Sequence, residues 1–266
     1  MKTPIVTLLT DFGTKDHYAA SMKGVILGIN PGCRLVDISH QVTPHDIREG
    51  AFLLANSYSY FPKGAIHLAV VDPGVGSPRK AVLIVTKNYY FLGPDNGLFS
   101  LALQREKVEQ IIELTRPRFF RSVVSTTFHG RDLFAPVAGH LSLGVKPRSF
   151  GPRLDSCTTL DLGKPRVKWK KLMGQVIHID TFGNLVSNIS QEQFFRFTGN
   201  RPFLVHVGKW TIGSLSEGYW QGEGAEPLAI MGSGEFLEIS IREKSAERVL
   251  RAKRGDPVSV EIIPGC

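Results

Sequence analysis

The stretch PIVTLLTDFGTKDHYAASMKGVILGI, residues 4–29, contains the pattern that decides the fold. Its first part, Pro4–Thr10, is a short and mostly apolar run that predicts a buried strand. Four large residues then recur at spacings of three and four: Tyr18, Met22, Val25 and Ile29. This spacing predicts a helix over His17–Ile29, so the chain begins with a strand, a polar loop and a helix.

The same alternation of strands and helices continues towards residue 143. We predict strands at Arg34–Ile38, Ala65–Val71, Ala81–Thr86, Tyr89–Leu92 and Ile111–Leu114. We predict helices from Thr43 to about Tyr60, at Asn96–Leu103 and at Asp132–Leu143. In the first of these, Thr43 is expected to be the N-cap and Pro44 to occupy the first turn. The alternation favours an α/β sandwich with a largely parallel sheet.

The pattern changes after about residue 143. A segment rich in Pro, Gly, Arg and Lys is followed by short β-like runs at Gly174–Asp180, Phe203–Val207, Pro227–Met231, Phe236–Ile241 and Val258–Ile263. These runs predict a small β-barrel with a short helix at Ser245–Leu250. We therefore expect an N-terminal α/β domain over residues 1–150, a linker over residues 151–171 and a C-terminal β-barrel domain over residues 172–266.

Composition narrows the class of protein. The 266 residues contain no apolar run of about 18, so a transmembrane helix is not expected, and the first residues lack a signal-peptide pattern. Three cysteines without a CxxC pair, Cys33, Cys157 and Cys266, indicate neither a disulfide framework nor a zinc site. We expect a cytoplasmic protein. The net charge of +8 indicates a solvated basic face, because aromatic residues do not interleave the basic runs as they do in nucleic-acid sites.

Polar clusters follow several predicted strands, which is where open α/β sheets bind ligands. Asp11 and Asp16 lie between the first strand and helix, where they can bind a ribose diol or, equally, form the turn and cap the helix. Asp72 ends a strand, and a Gly/Pro-rich turn brings Arg79 back towards it. Such a pair can orient a water molecule or serve as a structural ion pair.

Three further clusters contain candidate site residues. His129 stands at a predicted loop-to-helix junction and is a candidate acid or base, although a lone histidine is more often structural. Asp180, Phe182 and Asn184 lie on one turn, where they can bind an ammonium group and an adenine or simply make a strand corner. Ser233 lies on a turn between two predicted strands and is available to a polar ligand.

Seven motifs occur in an order and at a spacing that resemble the S-adenosylmethionine hydrolase family, also called SAM hydroxide adenosyltransferases. They are TLLTDFGTKDHY, VDISHQVTPHDIREGAFLL, VVDPGVGSPRK, FLGPDNG, FHGRDLFAPVAGHL, IDTFGNLVSNI and GSGEFLEI. The resemblance covers essentially the whole chain and extends to the related fluorinases and chlorinases. It implies cleavage of S-adenosylmethionine by water to adenosine and methionine, with no cofactor and no metal.

The resemblance also implies a homotrimer, with substrate between the N-domain of one subunit and the C-domain of its neighbour. The family's water-activating triad matches Asp72, Arg79 and His129. The fluorinase-like relatives lack this triad and carry an extra loop, for which Thr86–Tyr89 leaves no room. Both features favour a hydrolase over a halide-using enzyme.

The substrate-binding residues are assigned by the same resemblance. Asp11 matches the ribose-diol carboxylate. The other matches are Asp16 and Tyr18 near methionine, Asp180 at the ammonium group, Phe182 and Asn184 at adenine, Tyr219 as a nearby aromatic, and Ser233 at the methionine carboxylate. Two positions depart from the halogenases: Gly234 replaces an Arg, and His45 replaces a Trp.

The hypothesis for the reaction is in-line attack of water or hydroxide on C5′, with His129 accepting the proton and Arg79 fixing Asp72. The competing hypotheses are a halide-dependent adenosyltransferase, a module that binds adenosine or S-adenosylmethionine without turnover, and, ranked last, a nucleic-acid-binding protein. Release of methionine with time separates the enzyme from the binding module.

Overall fold

The computed structural model describes residues 3–161, 163–199 and 201–263, so Cys266 lies outside the described residues. The chain divides into two compact units, Met1–Leu160 and Asp161–Cys266. Both ends of the expected linker, residues 151–171, belong to sheets: Arg153–Leu154 pairs within the first unit and Arg166–Lys168 within the second. The boundary between the units therefore falls inside that segment.

The first unit is built on a seven-stranded sheet. Its strands are β1 (Ile5–Thr10), β2 (Arg34–Ser39), β3 (Ile66–Val70), β4 (Ala81–Thr86), β5 (Tyr90–Pro94), β6 (Val108–Glu113) and β7 (Arg153–Leu154). They are arranged in the order β2-β1-β3-β5-β4-β6-β7. Strands β2, β1, β3 and β5 pair in parallel, and the remaining pairs are antiparallel. Because β6 runs against β4, only β4 and β7 oppose the common direction, and the predicted, largely parallel sheet is confirmed.

Helices cover both faces of this sheet. They are α1 (Tyr18–Ile29), α2 (Ile47–Ala55), α3 (Ser100–Leu103) and α4 (Ala135–Ser142). Successive residues of β1 point to opposite faces, so Leu8 packs in one core with Met22 of α1, and Leu9 packs in the other with Leu54 of α2. Helix α4 shares the α1 core and α3 shares the α2 core. The predicted α/β sandwich is confirmed.

The start of α2 differs from the prediction, in which Thr43 was the N-cap. Helix α2 begins at Ile47, and its N-cap is Asp46, whose Oδ1 accepts a hydrogen bond from the Glu49 amide at 2.9 Å. His45 has a φ of 68°, in the left-handed region, so the chain turns before the helix. Thr43 and Pro44 therefore belong to the loop.

The second unit is an antiparallel barrel. Its strands are β8 (Arg166–Lys168), β9 (Lys171–Ile179), β10 (Leu185–Ser190), β11 (Phe203–Val207), β12 (Trp210–Ile212), β13 (Leu228–Met231), β14 (Phe236–Ser240) and β15 (Pro257–Ile262). They pair in the order β12-β11-β15-β9-β10-β14-β13, with β8 added to β9. A bridge from Leu215, just after β12, to Ala229 of β13 nearly closes the barrel. The predicted β-barrel is confirmed.

Four elements of this unit were not predicted from the sequence: β8, which lies within the expected linker, β10, β12 and the helix α5 (Gln191–Thr198). Strand β10 carries Ser187 and Asn188, both buried, which hid its apolar pattern. Helix α5 has a complete capping box between Ser190 and Gln193, which is a signal present in the sequence. The short helix predicted near residue 245 is α6 (Ala246–Leu250), with Ser245 as its N-cap.

Within the described ranges, no helix combines the length and apolar character needed to cross a membrane.

Two helical glycines of the first unit give a matched stability test. A Cβ on Gly139 of α4 would lie 2.9 Å from Ile29 Cβ, whereas a Cβ on Gly24 of α1 meets nothing within 4 Å. We expect Gly139→Ala to destabilise the unit by about 1–3 kcal/mol through overpacking. Gly24→Ala should stabilise it by about 0.5–1 kcal/mol, because alanine restricts the unfolded chain. Urea unfolding of both variants measures the two effects, and equal shifts would contradict this account of α1–α4 packing.

Candidate active site

A cavity lies at the carboxyl ends of the adjacent parallel strands β1 and β3, where open α/β sheets bind ligands. Its volume is about 280 Å³. Its wall includes Asp11, Tyr18, Asp72, Phe128 and His129, contributed by the loops after β1 and β3 and by the segment before α4. The fold of the first unit therefore brings together residues that are more than a hundred positions apart in the chain.

Asp72 and Arg79 form a paired contact beside this cavity. Arg79 Nε donates to Asp72 Oδ1 at 3.0 Å, and Arg79 Nη2 donates to Asp72 Oδ2 at 2.5 Å. The two side chains are only 5% and 11% exposed. Two parallel bonds fix the plane of the guanidinium as well as its distance, which a single contact would not do.

The turn between Asp72 and Arg79 depends on Gly76. Its φ is 78°, and an added Cβ would lie 2.4 Å from the Thr126 carbonyl oxygen. Only glycine fits such a close backbone approach at positive φ. The turn after β3 is thereby held against the segment that leads to His129.

His129 is in contact with the same guanidinium. Arg79 Nη2 lies 2.8 Å from His129 Nδ1. A guanidinium has hydrogens to donate and no acceptor, so Nδ1 accepts this bond and the neutral ring carries its hydrogen on Nε2. Burial, and then the positive charge of Arg79, lower the pKa of His129 below its ordinary value of 6.5.

A buried carboxylate supports the segment that carries His129. Asp132 is fully buried and accepts hydrogen bonds from Arg131 Nε at 2.6 Å and from the Ser125 amide at 2.9 Å. Burial alone would raise the pKa of Asp132, but these bonds hold it below its usual value. Residues Gly130–Phe134 form a π-helical turn before α4, a local widening that is frequent at functional sites.

Neither the burial of Asp132 nor the π-helical turn was predicted from the sequence. The FHGRD motif contains both residues of the ion pair, but a charged pair adjacent in sequence is usually exposed. In the folded protein Asp132 is buried together with its neighbours Leu133 and Phe134. No sequence signal distinguishes this site from a surface pair.

Aromatic rings and Asp11 complete the cavity wall. Phe12, Tyr18 and Phe128 pack together, with ring centroids 5.1–5.7 Å apart. Asp11 Oδ2 accepts a hydrogen bond from the His45 amide at 2.9 Å, which orients its carboxylate. Asp16, in contrast, is exposed and is not among the residues that line the cavity.

The second unit carries the other predicted site residues. Asp180 Oδ1 accepts bonds from the Phe182 and Asn184 amides at 2.9 and 2.8 Å, and Asn184 Nδ2 donates to Asp180 Oδ2 at 2.8 Å. This turn leaves the Phe182 ring 78% exposed. Ser233 lies on the exposed turn between β13 and β14.

Tyr219 contacts a carboxylate that the sequence analysis missed. Its hydroxyl donates to Glu238 Oε2 at 3.0 Å. Burial raises the pKa of Glu238, and Asp180 raises it further despite the Tyr219 bond. Burial and the nearby Glu238 charge raise the pKa of Tyr219 to about 12. Glu238 alternates with the buried Leu237 and Ile239 on β14, a position that normally faces solvent, so its burial was not expected.

Comparisons with known proteins agree with these two units. Residues 6–151 match the SAM hydroxide adenosyltransferase N-terminal domain, and residues 174–259 match the corresponding C-terminal domain. The chain belongs to the SAM hydroxide adenosyltransferase family.

Similar proteins cover nearly the whole chain. The (R)-S-adenosyl-L-methionine hydrolase of Thermus thermophilus is 37% identical over 95% of this chain and 98% of its own. The protein of the same name from Methanocaldococcus jannaschii is 34% identical over 96% of this chain and 95% of its own. The crystal structure of an uncharacterised conserved protein from Thermotoga maritima superposes with a TM-score of 0.89 at 36% identity, covering 96% of this chain and 99% of that one.

A short connection joins strands β4 and β5 of the first unit. Strand β4 ends at Thr86 and β5 begins at Tyr90, and the Thr86 amide donates to the Tyr89 carbonyl at 2.9 Å. The connection is a tight hairpin. These described strands therefore have no long loop between them.

Titration of His129 tests the electrostatics of this site. We expect its midpoint below 6.5, because burial and Arg79 oppose protonation. Arg79→Gln should raise the midpoint towards 6.5, whereas replacing the exposed Arg148 with Gln should leave it unchanged. Stability that depends on neutral His129 is present above pH 6.5 and falls as the pH drops from 6.5 towards the lowered pKa. NMR titration of the ring carbons, assigned with His129→Asn, measures the midpoint, and a value above 6.5 would contradict this description.

Proposed function

We propose that this chain hydrolyses S-adenosyl-L-methionine to adenosine and L-methionine. The observation that carries the proposal is the chain of contacts from Asp72 through Arg79 to His129 at the wall of one cavity. Family membership and relatives named as hydrolases of the same compound support it.

The chemistry requires alignment more than activation of the leaving group. The sulfonium sulfur is positively charged, so methionine departs as a neutral thioether when an oxygen attacks C5′ from the opposite side. Holding the oxygen and C5′ in line can supply a large part of the acceleration, on the order of 7–11 kcal/mol for well-oriented groups. A site with fixed side chains suits this task better than a mobile one.

Arg79 supplies the fixed element of the proposed site. Its guanidinium is held by both oxygens of Asp72 and lies 5.5 Å from the centroid of the Phe134 ring. It in turn contacts Nδ1 of His129, a residue that lines the cavity. We assign all three residues to the activation and placement of the attacking oxygen.

The remaining assignments concern the substrate. We propose that Asp11 binds the ribose diol, since its carboxylate lines the cavity and the His45 amide uses only part of its acceptor capacity. We assign Tyr18 and Asp16 to the methionine portion, although Asp16 is exposed in this structure. In the second unit we assign Asp180 to the ammonium group and Ser233 to the carboxylate of methionine. We assign Phe182 and Asn184 to adenine, with Tyr219 as a nearby aromatic residue.

No metal or cofactor enters the proposed reaction. The leaving group already carries a positive charge, so it needs no Lewis acid. The acceptor atoms that a metal would require, the two oxygens of Asp72 and Nδ1 of His129, are engaged by Arg79.

We further propose a cytoplasmic homotrimer with the substrate at the subunit interface. Cys33 and Cys157 are free thiols, which agrees with a reducing compartment. The motifs for water activation and for amino-acid recognition lie in different units, which agrees with a site shared between neighbouring subunits.

Isotope labelling tests the reaction. Incubation of the chain with S-adenosylmethionine in ¹⁸O water should give adenosine that carries ¹⁸O at its 5′ oxygen, together with methionine. The same products should form with chloride, bromide or fluoride present. The double variant Asp72→Ala/His129→Ala should lose about 10²–10⁴-fold in kcat. Mass spectrometry measures the label, and unlabelled or halogenated nucleoside would contradict hydrolysis.

A mixing experiment tests the shared site. Asp72→Ala and Asp180→Ala each remove a group assigned to a different unit, so each homo-oligomer should be inactive. Co-expressed subunits should regain part of the wild-type rate, because some sites then combine an intact first unit with an intact second unit from the neighbour. Light scattering gives the oligomeric mass. A monomeric mass, or no recovery in purified mixed oligomers, would contradict the arrangement.

A further inference from the structure

The hydrogens of Arg79 limit what His129 can do. Of its five N–H groups, the one on Nε and one on Nη2 are directed to Asp72, and the other on Nη2 is directed to His129 Nδ1. Nδ1 therefore uses its lone pair on the guanidinium. In a neutral imidazole the hydrogen then resides on Nε2, which is left without a lone pair in the ring plane.

The carboxylate of Asp72 is held by the same guanidinium. Both of its oxygens accept from Arg79, and its side chain is 5% exposed. Among the described residues, His129 Nε2 has no hydrogen-bond partner, and His129 lines the cavity. The ring nitrogen of His129 that is left for an oxygen in the cavity is therefore a hydrogen-bond donor.

We propose that His129 donates its Nε2 hydrogen to the attacking oxygen and does not accept a proton from it. This inference depends on the proposed function, and it reverses the role expected from the sequence. The oxygen reacts as hydroxide, whose proton has already passed to solvent. Its lone pair forms the O–C5′ bond while the C5′–S pair moves to sulfur. The charges of hydroxide and sulfonium cancel, and neutral adenosine and thioether result.

A donor placed in this way acts as an electrostatic anchor. It stabilises hydroxide against bulk water and keeps its lone pair directed at C5′. Removing one donor of this kind from an enzyme typically costs about 10²–10³-fold in kcat. The neighbouring charges that face His129 are Arg79, Asp72 and Asp132, and the first of these opposes protonation of the ring.

Three substitutions of His129 distinguish a hydrogen-bond donor from a base at this position. His129→Gln places an amide N–H near the position of Nε2 but provides no base. His129→Asn places an acceptor near the position of Nδ1, so it can keep the Arg79 contact, but it has no donor at the Nε2 position. His129→Ala has neither group. If His129 is a donor, Gln should exceed both Asn and Ala in kcat by at least about tenfold, the value of one charge-assisted hydrogen bond.

The pH profile gives a second readout. In the wild type, kcat should fall as His129 is protonated, because a hydrogen on Nδ1 faces the Arg79 guanidinium. The Gln variant should lose this acid limb, since its amide does not titrate. If Gln, Asn and Ala fall equally while each remains folded by circular dichroism, the donor role is wrong and a base role is favoured.

A measurement on the wild type covers the case in which the variants do not fold. Proton–nitrogen correlation NMR of the neutral ring should show Nε2 protonated and Nδ1 unprotonated. The opposite tautomer would overturn the inference without affecting the proposed function. Failure of the wild type to cleave S-adenosylmethionine would instead remove the proposed function itself.

Discussion

The paired contact between Asp72 and Arg79 is the interaction on which the site depends. Without the Asp72 carboxylate, the mostly buried Arg79 guanidinium would place an uncompensated positive charge beside a cavity proposed to bind a cationic substrate. With it, the pair is nearly neutral, and the plane of Arg79 is fixed. The position of His129 then follows, because its ring nitrogen meets a donor whose direction is already set.

Support for this contact comes from the polypeptide around it. Strand β3 is buried along its whole length and ends at Val70, so Asp72 follows a well-packed strand. On the other side, Asp132 ties Arg131 and the Ser125 amide together behind His129. The site therefore combines two polar clusters, one that faces the cavity and one that braces it from inside the protein.

Much of the fold could be predicted from residue patterns because the patterns were strong. Apolar runs such as β1 and the helical spacing from Tyr18 to Ile29 have a single plausible structure. Strand β10 was not predicted because Ser187 and Asn188, both buried, interrupt its apolar character, and Asn188 is bonded to the distant Gln175 and Gly163. Helix α2 begins three residues later than predicted because His45 adopts a left-handed conformation, which residue spacing alone does not reveal.

The sequence predicted which residues form the candidate site, but not how His129 acts in it. Asp72, Arg79 and His129 could be named from motifs, and the structure brings them into contact. The nitrogen of His129 that contacts Arg79 could not be predicted, because it depends on the orientation of the imidazole ring in the folded protein. The base role expected from the sequence followed from residue type, whereas the donor role follows from the contact between Arg79 and Nδ1 of His129.

The close approach at Gly76 has a consequence for motion. Its α-carbon lies against the Thr126 backbone so tightly that no side chain fits between them. The turn that carries Asp72 and the segment that leads to His129 are thus in direct backbone contact, with no side chain between them at Gly76. A fluctuation that displaces the Asp72 turn will therefore displace the segment before His129 as well. The distance between the Asp72 carboxylate and the His129 ring should stay nearly constant even when the opening of the cavity changes in width.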